Sequence, residues 1–245
     1  CPSADQKGDK MVNSYVAVDL ETTGLDPKRD KIIEIGAVRV EAGEITADFE
    51  SFVNPYRLLE ARTKSLTGIR DRDVADARGI DAVLPGFLNF AGELPLLGHR
   101  IIFDYSFLKR AAVNQGEEFA RAGIDTLTLA RLFMPEEEKK NLKAACGWFG
   151  VEQKETHRAM ADAMAAHQLY QAMKKRYGKE RPDVFSEENL IYRVKKEQPA
   201  SKRQKEHLQD LIKYHKIGLT VQIDHLTRNE ISRITDKIIA QYGRI

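Results

Sequence analysis

The order of apolar and polar positions predicts three consecutive β-strands in the N-terminal part of the chain. Residues 16–21, 31–40 and 45–53 are rich in valine and isoleucine, and short turns at 25–30 and 42–43 separate them. Strands joined by short turns favour an antiparallel meander. We therefore expect three neighbouring strands in one sheet.

Further along the chain, apolar residues recur at the three- and four-residue steps of amphipathic helices. The pattern predicts helices at 80–91, 103–114, 127–133, 141–149 and 158–177, with short apolar strands at 94–98 and 124–126. Strands that alternate with helices favour a layered α/β fold. The sequence therefore predicts a mixed five-stranded sheet flanked by helices.

The C-terminal part of the chain has a different composition. Ser201 with Gln204 and Thr227 with Glu230 both fit the capping box, in which two side chains satisfy free amides at a helix start. We therefore divide the chain into four parts. Residues 1–10 are either a remnant of cloning or a disordered tail, and a larger domain at 11–178 starts at Met11. A linker at 179–200 and a small helical unit at 201–245 follow.

Composition narrows the class of protein. No apolar run approaches the roughly 20 residues of a transmembrane helix, so we expect no membrane partner. The two cysteines, Cys1 and Cys146, form no disulfide framework and no zinc-ligand spacing. With no secretory signal present, the sequence predicts a cytoplasmic protein.

Positive charge is concentrated at the C-terminal end. The whole chain carries a net charge of +2, whereas residues 201–245 hold nine Lys or Arg against five Asp or Glu. One interpretation is that Lys202, Arg203 and Lys205 hold nucleic acid. The alternative is a solvated helical pair that packs on the larger domain or docks another protein.

The first strand ends in two acids. Alternate residues of a strand share a face, so Asp19 and Glu21 point to the same side. Two carboxylates side by side on a core strand are costly unless a cation lies between them, and hard divalent cations take carboxylate oxygens. The alternative is a strand end that solvates both acids.

Two later stretches hold further candidates. Asp104 lies at the start of an apolar helix, and the alternative for Asp104 is an N-terminal acid that stabilises the helix dipole. Asp162 is flanked by small apolar residues and needs a partner. His157 lies five positions before Asp162, so the two do not share a helix face, and a common site would require His157 in the loop or first turn. The alternative for His157 is an ordinary surface histidine.

Together these stretches resemble the three motifs of the DEDD exonuclease superfamily, in its histidine-containing (DEDDh) branch. The motifs are residues 18–24, His99 with residues 103–108, and His157 with residues 158–163. The resemblance covers about residues 14–173 and extends to the proofreading epsilon subunits of bacterial DNA polymerase III. It implies a ribonuclease-H-like fold for the predicted sheet.

The resemblance also implies roles for individual residues. Asp19, Glu21, Asp104 and Asp162 would hold two Mg²⁺ or Mn²⁺ ions, and His157 would be the general base. Thr22, His99 and Phe103 would lie near the terminal nucleotide of the substrate.

The implied activity is 3′→5′ exonuclease action on single-stranded DNA, releasing 5′-mononucleotides by a two-metal mechanism. The partners would be single-stranded nucleic acid, DNA in preference to RNA, and a DNA polymerase or other repair protein. One alternative is a 3′→5′ exoribonuclease. Another is a non-catalytic module that binds nucleic acid or a polymerase.

One position departs from the family pattern. Arg100 stands where the family usually has asparagine directly after the histidine of the second motif. Arginine adds a charge and cannot accept a hydrogen bond. It would either contact a phosphate or point into solvent.

Overall fold

The computed structural model describes residues 11–153 and 157–245, so the tail expected at 1–10 lies outside the described residues. At its centre is a mixed β-sheet. The strands are β1 Tyr15–Thr22, β2 Ile32–Glu41, β3 Glu44–Phe52, β4 Leu96–Gly98, β5 Ala122–Asp125 and β6 Glu188–Asn189. Across the sheet they follow the order β3-β2-β1-β4-β5-β6.

The sheet contains the predicted meander and one strand more than predicted. β1, β2 and β3 pair antiparallel, and β4 and β5 join β1 in the parallel direction. The sixth strand, β6, pairs antiparallel with β5 and lies in the segment 179–200, which the sequence predicts to be a linker. Two residues are too few to show an alternating pattern, so no pattern in the sequence predicts this strand.

Helices cover both faces of the sheet. They are α1 Ala61–Thr67, α2 Asp71–Ala75, α3 Ile80–Ala91, α4 Ile101–Gln115, α5 Thr126–Phe133, α6 Leu142–Trp148, α7 Ala159–Tyr177, α8 Lys202–His215 and α9 Arg228–Tyr242. Short 3₁₀ turns occur at Pro182–Phe185 and Ile223–His225. None of the helices in the described ranges combines the length and apolar content that crossing a bilayer requires.

The central strand β1 contributes to two separate hydrophobic cores. Val18 packs in the core that includes α3 and α4, whereas Ala17 packs in the core that includes α5, α6 and α7. Because strand residues alternate, Asp19 and Glu21 leave β1 on the same face as Ala17. That face is the one covered by α7.

The C-terminal helices form a small core of their own. Both begin at the predicted capping boxes, and the buried apolar residues of this core are Leu208, Leu211, Leu226, Ile231 and Ile238. The Glu230 carboxylate, in a residue only 5% exposed, also pairs with Lys31 at 2.8 Å and with Arg57 at 3.0 Å. Glu230 therefore completes the capping box of α9 and also joins the helical unit to the loops before β2 and after β3.

Candidate active site

Asp19 and Glu21 lie at the C-terminal end of β1. Asp19 is half-buried, and Glu21 is 9% exposed. In the ladder with β2, Glu21 stands opposite Glu34, and Asp19 stands opposite Gly36. Two acids of one strand are thus brought next to a third acid on the neighbouring strand.

Asp104 reaches the same strand from the first turn of α4. The residue is 3% exposed, and its Oδ1 accepts a hydrogen bond from the backbone N–H of Leu20 at 3.0 Å. Leu20 separates Asp19 from Glu21 in the sequence. The hydrogen bond therefore holds the Asp104 carboxylate at the end of β1 that carries both acids.

Asp162 approaches from the first turn of α7. Its Oδ2 accepts the backbone N–H of His157 at 3.0 Å, and its Oδ1 accepts Nε2 of Gln153 at 2.5 Å. His157 lies outside α7, is exposed and has a φ of +63°. Ligand atoms of Glu21, His157 and Asp162 all lie within 4.8 Å of one another.

Burial and mutual repulsion raise the pKa of the acids in this group. Burial, with added repulsion from Asp162 and Glu34, raises the pKa of Glu21 to about 7. Burial also raises the pKa of Asp104 to about 8. For Asp19, burial and then the charges of Asp104 and Asp162 raise the pKa well above its ordinary value. Burial and the like charges of neighbouring acids both disfavour the simultaneous ionisation of these carboxyl groups.

We call Asp19, Glu21, Asp104 and Asp162 the acidic cluster. Its donors are carboxylate oxygens, the ligands that Mg²⁺ and Mn²⁺ prefer. A divalent cation among them would favour the ionised forms and lower each raised pKa. The donor set and the repulsion within it therefore both fit hard divalent cations.

The three residues expected near the nucleotide have different surroundings. Thr22 donates its hydroxyl to the Gly24 carbonyl at 2.6 Å, and the half-buried Phe103 packs beside Phe107. His99 lies 3.0 Å from the Thr126 hydroxyl through Nδ1 and 2.7 Å from the Lys140 carbonyl through Nε2. A hydrogen bond from His99 to a nucleotide would require one of these two hydrogen bonds to open, and the role of His99 stays a prediction.

Arg100 adopts a backbone conformation that suits asparagine better than arginine. Its φ is +73° and its ψ is +48°, and its N–H donates to Oδ1 of Asp125 at 2.8 Å. The residue is exposed. Left-handed backbone is unfavourable for residues with a Cβ, and asparagine tolerates it best after glycine.

We expect Arg100→Asn to stabilise the protein by about 1 kcal/mol, because it relieves this backbone conformation. Urea unfolding monitored by circular dichroism would measure the change. Arg78→Asn is the matched control, since Arg78 is an exposed loop residue without a positive φ. A stability gain no larger than that of the control would contradict the explanation.

Glu34 and Gln153 were not among the predicted site residues. Glu34 is 1% exposed, and its carboxylate accepts Nη2 of Arg158 at 2.8 Å and the N–H of Ala159 at 3.1 Å. It thereby ties the start of α7 to β2. A charged residue inside the apolar run of β2 could have identified Glu34 as a candidate site residue. Gln153 lies in a loop, where no sequence pattern indicates a site.

Comparisons with known proteins identify the family. Residues 16–170 match the sequence profile of the family described as Exonuclease. The chain is 34% identical over 169 residues to the DNA polymerase III subunit epsilon of Aquifex aeolicus, covering 69% of this chain and 84% of that protein. It is 35% identical over 178 residues to the PolC-type DNA polymerase III of Clostridium perfringens, covering 73% of this chain but 12% of that one. The chain thus spans about an eighth of its PolC-type relatives.

Solved structures share the fold. Exonuclease X in complex with 5′ overhanging duplex DNA has a TM-score of 0.56 at 24% identity, covering 70% of this chain and 99% of that one. Exonuclease I of E. coli in complex with a dT13 oligonucleotide has a TM-score of 0.60 at 19% identity, covering 71% of this chain and 43% of that one. On the profile match and the similarity to the epsilon subunit, the chain belongs to the exonuclease family, as the resemblance of its three motifs predicts.

Proposed function

We propose that the chain is a metal-dependent 3′→5′ exonuclease that hydrolyses single-stranded DNA from its 3′ end and releases 5′-mononucleotides. The convergence of the acidic cluster, with His157 beside it, is the observation that supports this proposal most directly. The names of the polymerase III relatives favour DNA over RNA. They also support a DNA polymerase or another repair protein as a partner.

Asp19, Glu21, Asp104 and Asp162 would hold the metal ions. Held by these carboxylates, two divalent cations would supply the positive charge that lowers the pKa of a bound water and offsets the negative charge of the phosphate and the leaving 3′ oxygen. The carboxylates would supply the compensating negative charge and fix the ligand geometry. Their oxygen donors suit Mg²⁺ or Mn²⁺ better than a softer metal.

His157 would take the proton from the attacking water. Imidazole is the side chain best able to exchange a proton near neutral pH. The residue is exposed, and the hydrogen bond from its backbone N–H to Asp162 keeps it next to the acidic cluster. Thr22 and Phe103 would contact the terminal nucleotide, with the apolar ring stacking on its base.

Product analysis tests the proposal. Single-stranded DNA and RNA of the same sequence, labelled at the 5′ end, would be incubated with Mn²⁺ and the full chain. We expect a labelled ladder that shortens from the 3′ end of DNA, together with unlabelled 5′-mononucleotide that chromatography detects. Faster digestion of RNA would assign an exoribonuclease instead, and binding without mononucleotide would assign a non-catalytic module.

The proposed base has its own test. We expect His157→Asn to lower kcat by about 10²- to 10⁴-fold, the usual contribution of a general base. Asparagine tolerates the positive φ of this position, so the loop should keep its conformation.

Rapid-quench measurement of mononucleotide release would give kcat for this variant. Affinity for Mn²⁺ should remain, which separates a proton acceptor from a metal ligand. His207→Asn, an exposed position on α8, is the control and should keep full activity. Loss of Mn²⁺ affinity in His157→Asn would instead make His157 a ligand.

A further inference from the structure

A groove of about 340 Å³ runs where the sheet domain meets the C-terminal helices. Its walls come from four places: Lys28 in the loop after β1, Arg110 on α4, the segment 192–197, and Arg233 on α9. We call it the junction groove. Six of its ten lining residues are lysine or arginine, and Glu197 is the acid among them.

Glu197 connects the segment 192–197 to the helices on both sides of the junction groove. Its carboxylate lies 2.5 Å from Nη2 of Arg110 and accepts Nδ2 of Asn229 at 3.3 Å. Its backbone N–H donates to Oδ1 of Asn114 at 2.9 Å. One residue of the segment is therefore joined to both α4 and α9, so the groove is a fixed feature of the packed molecule.

The pairing of Glu197 with Arg110 leaves the other cations uncompensated. Within residues 11–153 and 157–245, the structure records no ion pair for the remaining basic residues of the groove. All of them are exposed, and they are Lys28, Arg193, Lys195, Lys196 and Arg233. Five positive side chains around one concave surface attract a polyanion.

Two elements lead from the acidic cluster to the junction groove. Lys28 lies in the loop that leads away from Glu21 at the end of β1. Arg110 lies on α4 six residues after Asp104, which is about 9 Å along the helix axis and about 120° around it. At the roughly 3.4 Å per nucleotide of a stacked strand, that distance corresponds to about three nucleotides.

We propose that the junction groove binds the sugar-phosphate backbone of the substrate strand a few nucleotides upstream of its 3′ end. This inference rests on the proposed exonuclease function, which puts the 3′ end at the acidic cluster. It replaces the interpretation that Lys202, Arg203 and Lys205 on α8 hold nucleic acid. Lys202 faces Glu206 at 3.7 Å, and Lys205 donates to the Asp224 carbonyl at 2.9 Å.

The test compares two triple variants of the full chain that lose the same charge. The groove variant is Arg193→Ala, Lys195→Ala and Lys196→Ala. The control variant is Lys202→Ala, Arg203→Ala and Lys213→Ala, three exposed positions on α8. Binding of a 20-nucleotide single strand would be measured against salt concentration in EDTA. Turnover of the p-nitrophenyl ester of thymidine 5′-monophosphate, which is too short to reach the groove, would be measured with Mn²⁺.

Each phosphate contact contributes about 0.7 to the slope of log affinity against log salt, so we expect the groove variant to lose about 2 from that slope. Its affinity for the strand should fall about tenfold or more, while ester turnover stays at the wild-type level. The control variant should keep the wild-type slope.

Equal slopes in the two variants would overturn the proposal, because bulk charge would then explain the binding. A groove variant with unchanged strand affinity would also overturn it and leave the groove to another ligand, such as an acidic protein segment. Failure of the wild-type chain to hydrolyse the ester with Mn²⁺ would count against the proposed function. In that case the slopes measured in EDTA still report on the groove.

Discussion

Replacing Asp19 by asparagine will lower kcat by about 10³-fold or more, since the substitution removes one of the carboxylates proposed to hold the metal ions. The fold should survive, because asparagine has nearly the same shape and is uncharged. Burial and neighbouring acids already favour the neutral form of Asp19, as its raised pKa indicates. We therefore expect the metal-free variant to melt at the same temperature as the wild type or higher.

Two measurements check this expectation: quantitation of mononucleotide released from labelled DNA, and thermal unfolding in EDTA. Asp48→Asn is the matched control, because Asp48 is an exposed acid on β3. It should leave both quantities unchanged. Wild-type activity in Asp19→Asn would end the proposed metal role of that residue.

Divalent metal will stabilise the protein, and more so at alkaline pH. Ligand at 100 times its dissociation constant adds about 2.7 kcal/mol to the free energy of unfolding, or roughly 5–10 °C in Tm for a chain of this size. Without metal, burial holds the pKa of Glu21 at about 7 and that of Asp104 at about 8, above their unfolded values. The folded state then binds more protons than the unfolded state, so these two groups lower stability as pH rises from about 4.5 to 8.

Scanning calorimetry at pH 5.5 and pH 8, with Mn²⁺ or EDTA, measures both effects. We expect the larger Mn²⁺ shift at pH 8, where protons no longer compete for the carboxylates. Glu21→Gln should reduce both the Mn²⁺-induced increase in Tm and the pH dependence of Tm in EDTA. This variant therefore separates the effect of Glu21 on stability from the effect of histidines elsewhere. No shift at millimolar Mn²⁺ would count against a preformed acidic cluster.

Local patterns predicted much of the architecture. The spacing of Val83, Leu84 and Phe87 predicts a helix at 80–91, and α3 has those bounds. Helix geometry also predicted that a common site would require His157 in the loop or first turn of the helix that carries Asp162, and His157 lies in the loop before α7. These features depend on neighbours within a few residues, which the sequence displays directly.

Features that depend on distant pairing were not predictable. β6 forms because Glu188 and Asn189 meet the exposed edge of β5, and neither residue signals a strand. The junction groove depends on contacts between Glu197 and residues on α4 and α9, which lie far apart in the sequence. The left-handed backbone of Arg100 follows from the turn between β4 and α4, and arginine itself gives no sign of it.

The most direct test of the account counts metal ions. Electron paramagnetic resonance of Mn²⁺, titrated into the full chain with saturating thymidine 5′-monophosphate, reports the number of bound ions. The account predicts two Mn²⁺ per chain in the wild type and a loss of binding in Asp19→Asn. A wild-type chain that takes up no Mn²⁺, or one that binds it equally well without the Asp19 carboxylate, would contradict it.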